Sequence, residues 1–306
     1  MEVCKVAERA IIARTRLQTR ESRLAYLLLL PAVACVLGFM VYPLVSVGLM
    51  SIFRTNRLGW LQNFVGLANY FSVMNDAEFW RVTGRSILWT VLAVLSKTIF
   101  GLVIALLLNV KYRGRKLARM LFIAPWASSV PISVLLWSWV YNPQFGLLNH
   151  TLKITGITAN PPVWLGYPIS GFIAAIWVDI WIGIPFMALV FLAGMQAIPE
   201  DLYESADLDG VNGFQKFYYI TLPGIKRILQ ISTLLSALWT FNDFNSIFIL
   251  TGGGPVNMTD ILITSIYKNA FVYARFDRAA VMAIITFIIL TMLSAVYARH
   301  YFREED

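Results

Sequence analysis

Apolar residues fill this chain in long runs, and polar residues gather between them. A helix needs roughly 20 apolar residues to cross the hydrocarbon core of a bilayer. Six stretches reach that length: 24–53, 86–110, 120–141, 171–197, 225–250 and 279–298. The second is interrupted by Lys97, the fourth contains Asp179 and the fifth contains Asp243. The pattern predicts an all-α integral membrane protein with six transmembrane helices. It forms one domain over 24–298, with short polar segments at 1–23 and 299–306. Segment 54–85 carries Asn69-Tyr70-Phe71 and Phe79-Trp80, and 142–168 carries Pro143, Gly146, Pro161, Pro162, Trp164 and Pro168. These read as short interfacial helices and turns, with aromatic rings at headgroup depth.

Composition agrees with the pattern. The chain is 58% hydrophobic and 14% charged, with a mean hydropathy of +0.67. Soluble domains carry about 25% charged residues. A disordered chain, a disulfide scaffold and a soluble nucleic-acid binder are all excluded. Of the two cysteines, Cys4 is in a polar stretch and Cys35 in an apolar one, so both are expected as free thiols. His150 and His300 are far apart, and neither has ligand spacing around it, so no metal site is expected. There is no Gly-x4-Gly-Lys-Ser/Thr loop, so the chain is not expected to bind nucleotide itself. The first apolar run is about twice the length of a secretory h-region and reads as an uncleaved anchor.

Charge sets the expected orientation. With the N-terminus inside, the inner segments 1–23, 111–119, 198–227 and 299–306 hold 16 of the 25 basic residues. The longer outer segments hold 8, and Lys97 is the remaining one. The cluster Lys111, Arg113, Arg115, Lys116 and Arg119 contains no acid. By the positive-inside rule both termini are cytoplasmic.

The inner loop 198–223 is the most informative segment. Pro199, Glu200 and Asp201 suit a first helical turn, where acids complement the helix dipole. Leu202, Tyr203 and Ala206 recur at helical spacing, and Gly210 stands where a positive φ would end the helix. Asn212 can cap a second short helix. Five acids lie between Glu200 and Asp209. With Leu202, Tyr203, Phe214 and Phe217 beside them, these charges suggest a protein-docking surface rather than a solvated face.

The same loop reads Glu204-Ser205-Ala206, three residues, Gly210, nine residues, then Ile220-Thr221-Leu222-Pro223. This resembles the EAA loop of the permease subunits of binding-protein-dependent ABC importers. Ser205 stands where that pattern has alanine. Phe64-Val65-Gly66-Leu67-Ala68-Asn69-Tyr70, Asn142-Pro143-Gln144-Phe145-Gly146-Leu147-Leu148-Asn149 and Leu250-Thr251-Gly252-Gly253-Gly254-Pro255 extend the resemblance over nearly the whole chain. They narrow it to the maltose-transporter-like branch. The resemblance implies a type I ABC importer permease fold in a bacterial plasma membrane. It also implies four partners: a second permease subunit, a dimeric ABC ATPase, an extracytoplasmic solute-binding protein and a saccharide. The chain itself would hold no cofactor, because ATP and magnesium would bind the ATPase. Glu204, Ser205, Ala206, Asp209 and Gly210 would then couple to that ATPase. Glu204 would meet a basic group, Ala206 would permit close approach, and Gly210 would make the turn.

Charges within spans are costly against lipid, so Lys97, Asp179 and Asp243 should face protein or a water-filled path. They would either line the path or pair structurally, Lys97 with Asp179 or Asp243. Trp239, Asn242, Asp243 and Asn245 combine hydroxyl partners with a flat apolar face, which suits a sugar. Trp137 and Trp139 could serve likewise, but read rather as packing or interface residues, and Gly183 with Pro185 reads as a kink. A membrane enzyme would need a paired acid/base constellation, which is not seen. A secondary transporter would usually show internal repeats and more spans. Glycerol phosphate or another polyol remains open as cargo.

Overall fold

The computed structural model describes residues 26–302. The expected segment 1–23 with Cys4, the His300 side chain and the end of the tail lie outside the described residues. Thirteen helices are described. They are α1 (Tyr26–Ile52), α2 (Ala68–Met74), α3 (Ala77–Asn109), α4 (Arg115–Ala127), α5 (Val130–Val140), α6 (Leu147–Ile154) and α7 (Pro168–Gln196). They continue with α8 (Glu200–Leu208), α9 (Gly213–Lys216), α10 (Leu222–Phe241), α11 (Phe244–Thr251), α12 (Leu262–Tyr267) and α13 (Phe276–Phe302). By length and composition α1, α3, α7 and α13 can each cross a membrane.

The two other expected spans are broken, each for a local reason. Stretch 120–141 is α4 followed by α5, bent by 95°. Ser128 and Ser129 are extended at the corner, and Pro131 lies in the first turn of α5, where its missing N–H costs nothing. The Ser128 hydroxyl bonds the Pro125 carbonyl at 2.8 Å and meets the Ser133 hydroxyl at 2.6 Å. Counting this bent pair as one span brings the number of candidate spans to five. Stretch 225–250 is α10, a break at Asn242-Asp243, then α11. The Asp243 carboxylate accepts the N–H groups of Asn245 and Ser246 at 3.0 and 3.3 Å, so it caps a new helix rather than continuing the old one.

The kink expected at Gly183 and Pro185 does not interrupt α7, which is helical from Pro168 to Gln196. Gly183 instead gives room to a neighbour: a Cβ there would lie 2.5 Å from Lys97 Cδ of α3. On the other side of the contact, a Cβ on Gly101 of α3 would lie 2.7 Å from Met187 Cβ of α7. Small residues thus bring α3 and α7 close, as is common where helices pack without a hydrophobic drive between them. Trp89, Ala93, Ala175, Val178 and Ile247 form the central core, and Ala105, Met187, Phe191 and Ile225 a second cluster toward the loop end.

Segment 54–85 holds a feature the sequence reading did not anticipate. Strands β1 (Phe53–Thr55) and β2 (Leu61–Phe64) pair antiparallel, with Phe53 opposite Phe64 and their rings 5.2 Å apart. The Asn56 side chain accepts the N–H groups of Leu58 and Trp60, and Gly59 takes φ +81° in the turn. Asn69 of α2 donates to the carbonyls of Ser51 and Phe53, fixing the hairpin to the end of α1.

Candidate functional site

The two breaks face each other across a cavity of about 500 Å³. The two corners supply Trp126 and Val130 from one side and Asn242, Asp243 and Asn245 from the other. All six residues proposed for the translocation path line it: Lys97, Asp179, Trp239, Asn242, Asp243 and Asn245. Irregular backbone at membrane depth is tolerated where it borders a cavity, because its freed polar groups can be satisfied there.

Lys97 is 4% exposed and reaches across from α3. Its Nζ lies 2.7 Å from Asp179 Oδ2 of α7 and donates to Thr240 Oγ1 of α10 at 2.7 Å. The pairing left open by the sequence is therefore with Asp179, not Asp243. The carbonyl of Thr240 accepts the indole N–H of Trp89 at 2.9 Å and the N–H of Asp243 at 3.1 Å. One residue of α10 thus collects two bonds from α3 just before the helix breaks. Thr240 gives the lysine a further partner, whereas Asp179 Oδ2 has no hydrogen-bond partner besides the ion pair.

A row of aromatic rings forms another wall. Trp126 and Phe186 have centroids 6.0 Å apart, and Phe186 and Trp239 are 5.1 Å apart edge to face. Ser236 and Thr240 add hydroxyls. Trp126, Phe186, Ser236 and Thr240 were missed by sequence reasoning. Trp126 had a usable signal, because Pro125 and the Ser-Ser-Val-Pro run of 128–131 mark a bend that turns its ring inward. Phe186 had none, being one aromatic in an apolar helix. Trp137 packs against Trp181 and Tyr141, at 5.6 and 5.3 Å, and Trp139 is exposed. Neither is among the residues lining the cavity. Among the described residues, no group of three His, Cys, Asp or Glu could hold a metal ion.

The second candidate region is the loop between α7 and α10. Pro199 precedes α8, and Glu200 and Asp201 occupy its first turn. Gly210 takes φ +72°, a left-handed conformation that costs other residues roughly 1–2 kcal/mol. Asn212 and Gln215 form a reciprocal capping box at α9. The second helix is not separate: a π-helical turn, Phe217–Thr221, carries α9 straight into α10. Tyr203 of α8 bonds the Thr221 hydroxyl at 2.9 Å, and Lys216 pairs with Asp207, so the loop is braced as an L. Lys111, from the basic loop after α3, pairs with Glu200 at 2.8 Å and holds that carboxyl below its usual range.

Glu204, Ser205, Asp209 and Gly210 are exposed. Beside them Leu208, Phe214 and Tyr219 show large apolar surfaces, Leu208 at 91% exposure. Ala206 is 8% exposed. Its methyl is buried within the chain itself, so its small size serves the packing of α8 on its own loop.

A multi-pass membrane protein with a polar cavity between broken helices, and an exposed acidic and apolar helix at one end, has the architecture of a transport channel component. The chain belongs to the family described as the binding-protein-dependent transport system inner membrane component, whose model matches residues 97–304. It is 38% identical over 288 residues to the trehalose/maltose transport system permease protein of Thermococcus litoralis, covering 93% of this chain and 96% of that protein. It is 32% identical over 299 residues to the diacetylchitobiose uptake system permease protein of Streptomyces coelicolor, covering 96% and 91%. In fold it matches a chain from the crystal structure of a bacterial ABC transporter involved in the import of the acidic polysaccharide alginate. The TM-score is 0.82 at 23% identity, over 95% of this chain and 99% of the other.

Proposed function

We propose that this chain is one permease subunit of an ATP-driven importer and forms half of a translocation path for a saccharide. The observation that carries the reading is the cavity. Aromatic faces, two amides, two hydroxyls, two carboxylates and a lysine surround a volume within the roughly 300–1,000 Å³ of small-molecule sites. Relatives described as permeases for trehalose and maltose and for diacetylchitobiose support a sugar cargo. The chain would cross the membrane six times, with α4–α5 and α10–α11 as broken spans and both termini in the cytoplasm. A solute-binding protein would deliver cargo at the hairpin end, and a second permease would complete the path.

A dimeric ATPase would dock on α8 at the loop end through Glu204, Asp209 and the exposed Leu208. Ser205 and Gly210 would border the contact. Helix α7 carries Asp179 at the cavity and ends at Gln196, with three residues between it and Glu200 at the start of α8. A movement imposed on α8 therefore reaches the Lys97–Asp179 pair through one continuous helix. The test is reconstitution of the chain with its partner subunits in vesicles. Trp239→Ala should insert normally, keep ATPase binding and lower uptake of the cognate sugar at least tenfold. Glu204→Lys with Gly210→Pro should lose the ATPase on co-purification while retaining the second permease. Full sugar uptake by a well-inserted Trp239→Ala variant would remove the cavity from the path.

A further inference from the structure

We infer that the cavity selects uncharged saccharides and disfavours uronates, phosphorylated polyols and other anions. This rests on the reading of the cavity as a sugar path. Three formal charges line it, those of Lys97, Asp179 and Asp243. The lysine is the one cation among the lining residues, and it is already engaged. Its Nζ is held by Asp179 Oδ2 and by Thr240 Oγ1, each at 2.7 Å, and the side chain is almost wholly buried. Gly183 gives the lysine stem the room in which it reaches these partners, since the stem lies where a Cβ at 183 would be.

With Lys97 and Asp179 cancelling each other, the remaining charge is the Asp243 carboxylate. It faces the same space between Asn242 and Asn245. The other polar groups are Ser236, Thr240 and the two amides, and the apolar ones include Trp126, Phe186 and Trp239. A neutral pyranose finds hydroxyl partners and ring faces there. On this chain's half of the path an anion finds no free positive charge and one negative one, in surroundings where like charges repel far more strongly than in water. To gain Lys97 it would have to break the buried pair and leave Asp179 uncompensated, which is strongly unfavourable.

The experiment uses the assembled complex of both permeases and the ATPase, without the binding protein, so that the delivery protein's own selectivity does not enter. Maltose, trehalose, cellobiose and N,N′-diacetylchitobiose are each compared by titration calorimetry at pH 7.5 with the form in which one C6 hydroxymethyl is oxidised to a carboxylate. At least one neutral sugar should bind at least tenfold tighter than its uronate. Asp243→Asn should narrow that ratio at least threefold. Asp179→Asn, which frees Lys97 toward the cavity, should narrow it further. A uronate that binds as tightly as its neutral counterpart, or tighter, overturns the charge inference and leaves the sugar reading standing. If neither member of any pair binds, the sugar reading falls and the inference falls with it.

Discussion

Replacing Lys97 with methionine tests whether the centre of the molecule is held by the ion pair. The side chain keeps its length and loses its charge. Asp179, of which only 8% is exposed, is then left as a carboxylate without its counter-ion. Removing one partner of a buried pair costs about 3–5 kcal/mol, mostly the penalty of the uncompensated charge. The Thr240 hydroxyl also loses a charged donor, which adds about 1 kcal/mol. Asp179→Leu should cost a similar amount from the other side. The double variant Lys97→Met/Asp179→Leu leaves no buried charge at the contact between α3 and α7. It should return to within about 2 kcal/mol of the parent, since apolar replacements of a buried pair are often neutral. The assay is unfolding in detergent followed by tryptophan fluorescence, run as a double-mutant cycle. The coupling energy should reach at least about 2 kcal/mol. Additive single-variant losses, with the double variant the least stable of the three, would refute the argument that the pair is a unit.

Four further outcomes follow from other contacts. Gly183→Val should force the Lys97 stem aside and lower stability by about 1–3 kcal/mol, whereas Gly84→Val, where nothing lies within 4 Å, should be neutral in the same unfolding assay. Gly101→Leu should separate α3 from α7, because the close neighbours include the Ala188 backbone nitrogen, and should reduce the folded yield measured by size-exclusion chromatography. Gly210→Val should cost about 1–2 kcal/mol through its left-handed φ, and, if the proposed ATPase docks at this loop, should weaken its co-purification before membrane insertion falls. Asp76 is held below the ordinary carboxylate range by the Glu78 N–H and by Arg278. Its stabilisation is therefore full above about pH 4 and lost as pH falls below that, and Asp76→Asn should flatten the acid limb of a melting profile taken between pH 6 and 3.

The degree to which the site was legible varied with the physics of each signal. Charges and amides inside apolar runs are expensive, so Lys97, Asp179, Asn242, Asp243 and Asn245 announced themselves, and all line one cavity. Which acid takes the lysine was not legible. It depends on the register of α3 against α7, set by Gly101 and Gly183, and linear order carries no such register. The helix corners were half legible. Pro125 and Pro131 stand at the bend between α4 and α5, but the sequence reading made no use of them and took the hydrophobicity of 120–141 as a single span. At Asp243 hydrophobicity again concealed the break. An aspartate inside an apolar run reads as a buried charge, but here it is also a helix cap. The hairpin was hidden because Phe53–Thr55 and Leu61–Phe64 are short and carry no strict alternation of apolar and polar positions.

The two corners and the ion pair belong to one arrangement. An unbroken α4–α5 and an unbroken α10–α11 would present only side chains to the space between them, with every backbone group engaged within its own helix. Breaking both opens the volume and places the capping groups of Asp243 and the bend at Ser128 on its margins. The cost is lost helix continuity beside the cavity, and α3 offsets it. Trp89 and Lys97, eight residues apart and so close to the same face of α3, bond the carbonyl and the hydroxyl of Thr240, the last residue but one of α10. Conversion of Thr240 to valine keeps the shape and removes only the hydroxyl. That variant should leave the Trp89 bond in place, release one of the two ties on Lys97 and cost about 1–3 kcal/mol in the unfolding assay. It should also loosen the break itself, so amide hydrogen exchange should rise across 240–246 and stay unchanged across 262–267. Equal exchange in the two proteins over 240–246 would show that the break holds without α3, and the link drawn here between the ion pair and the cavity would be wrong.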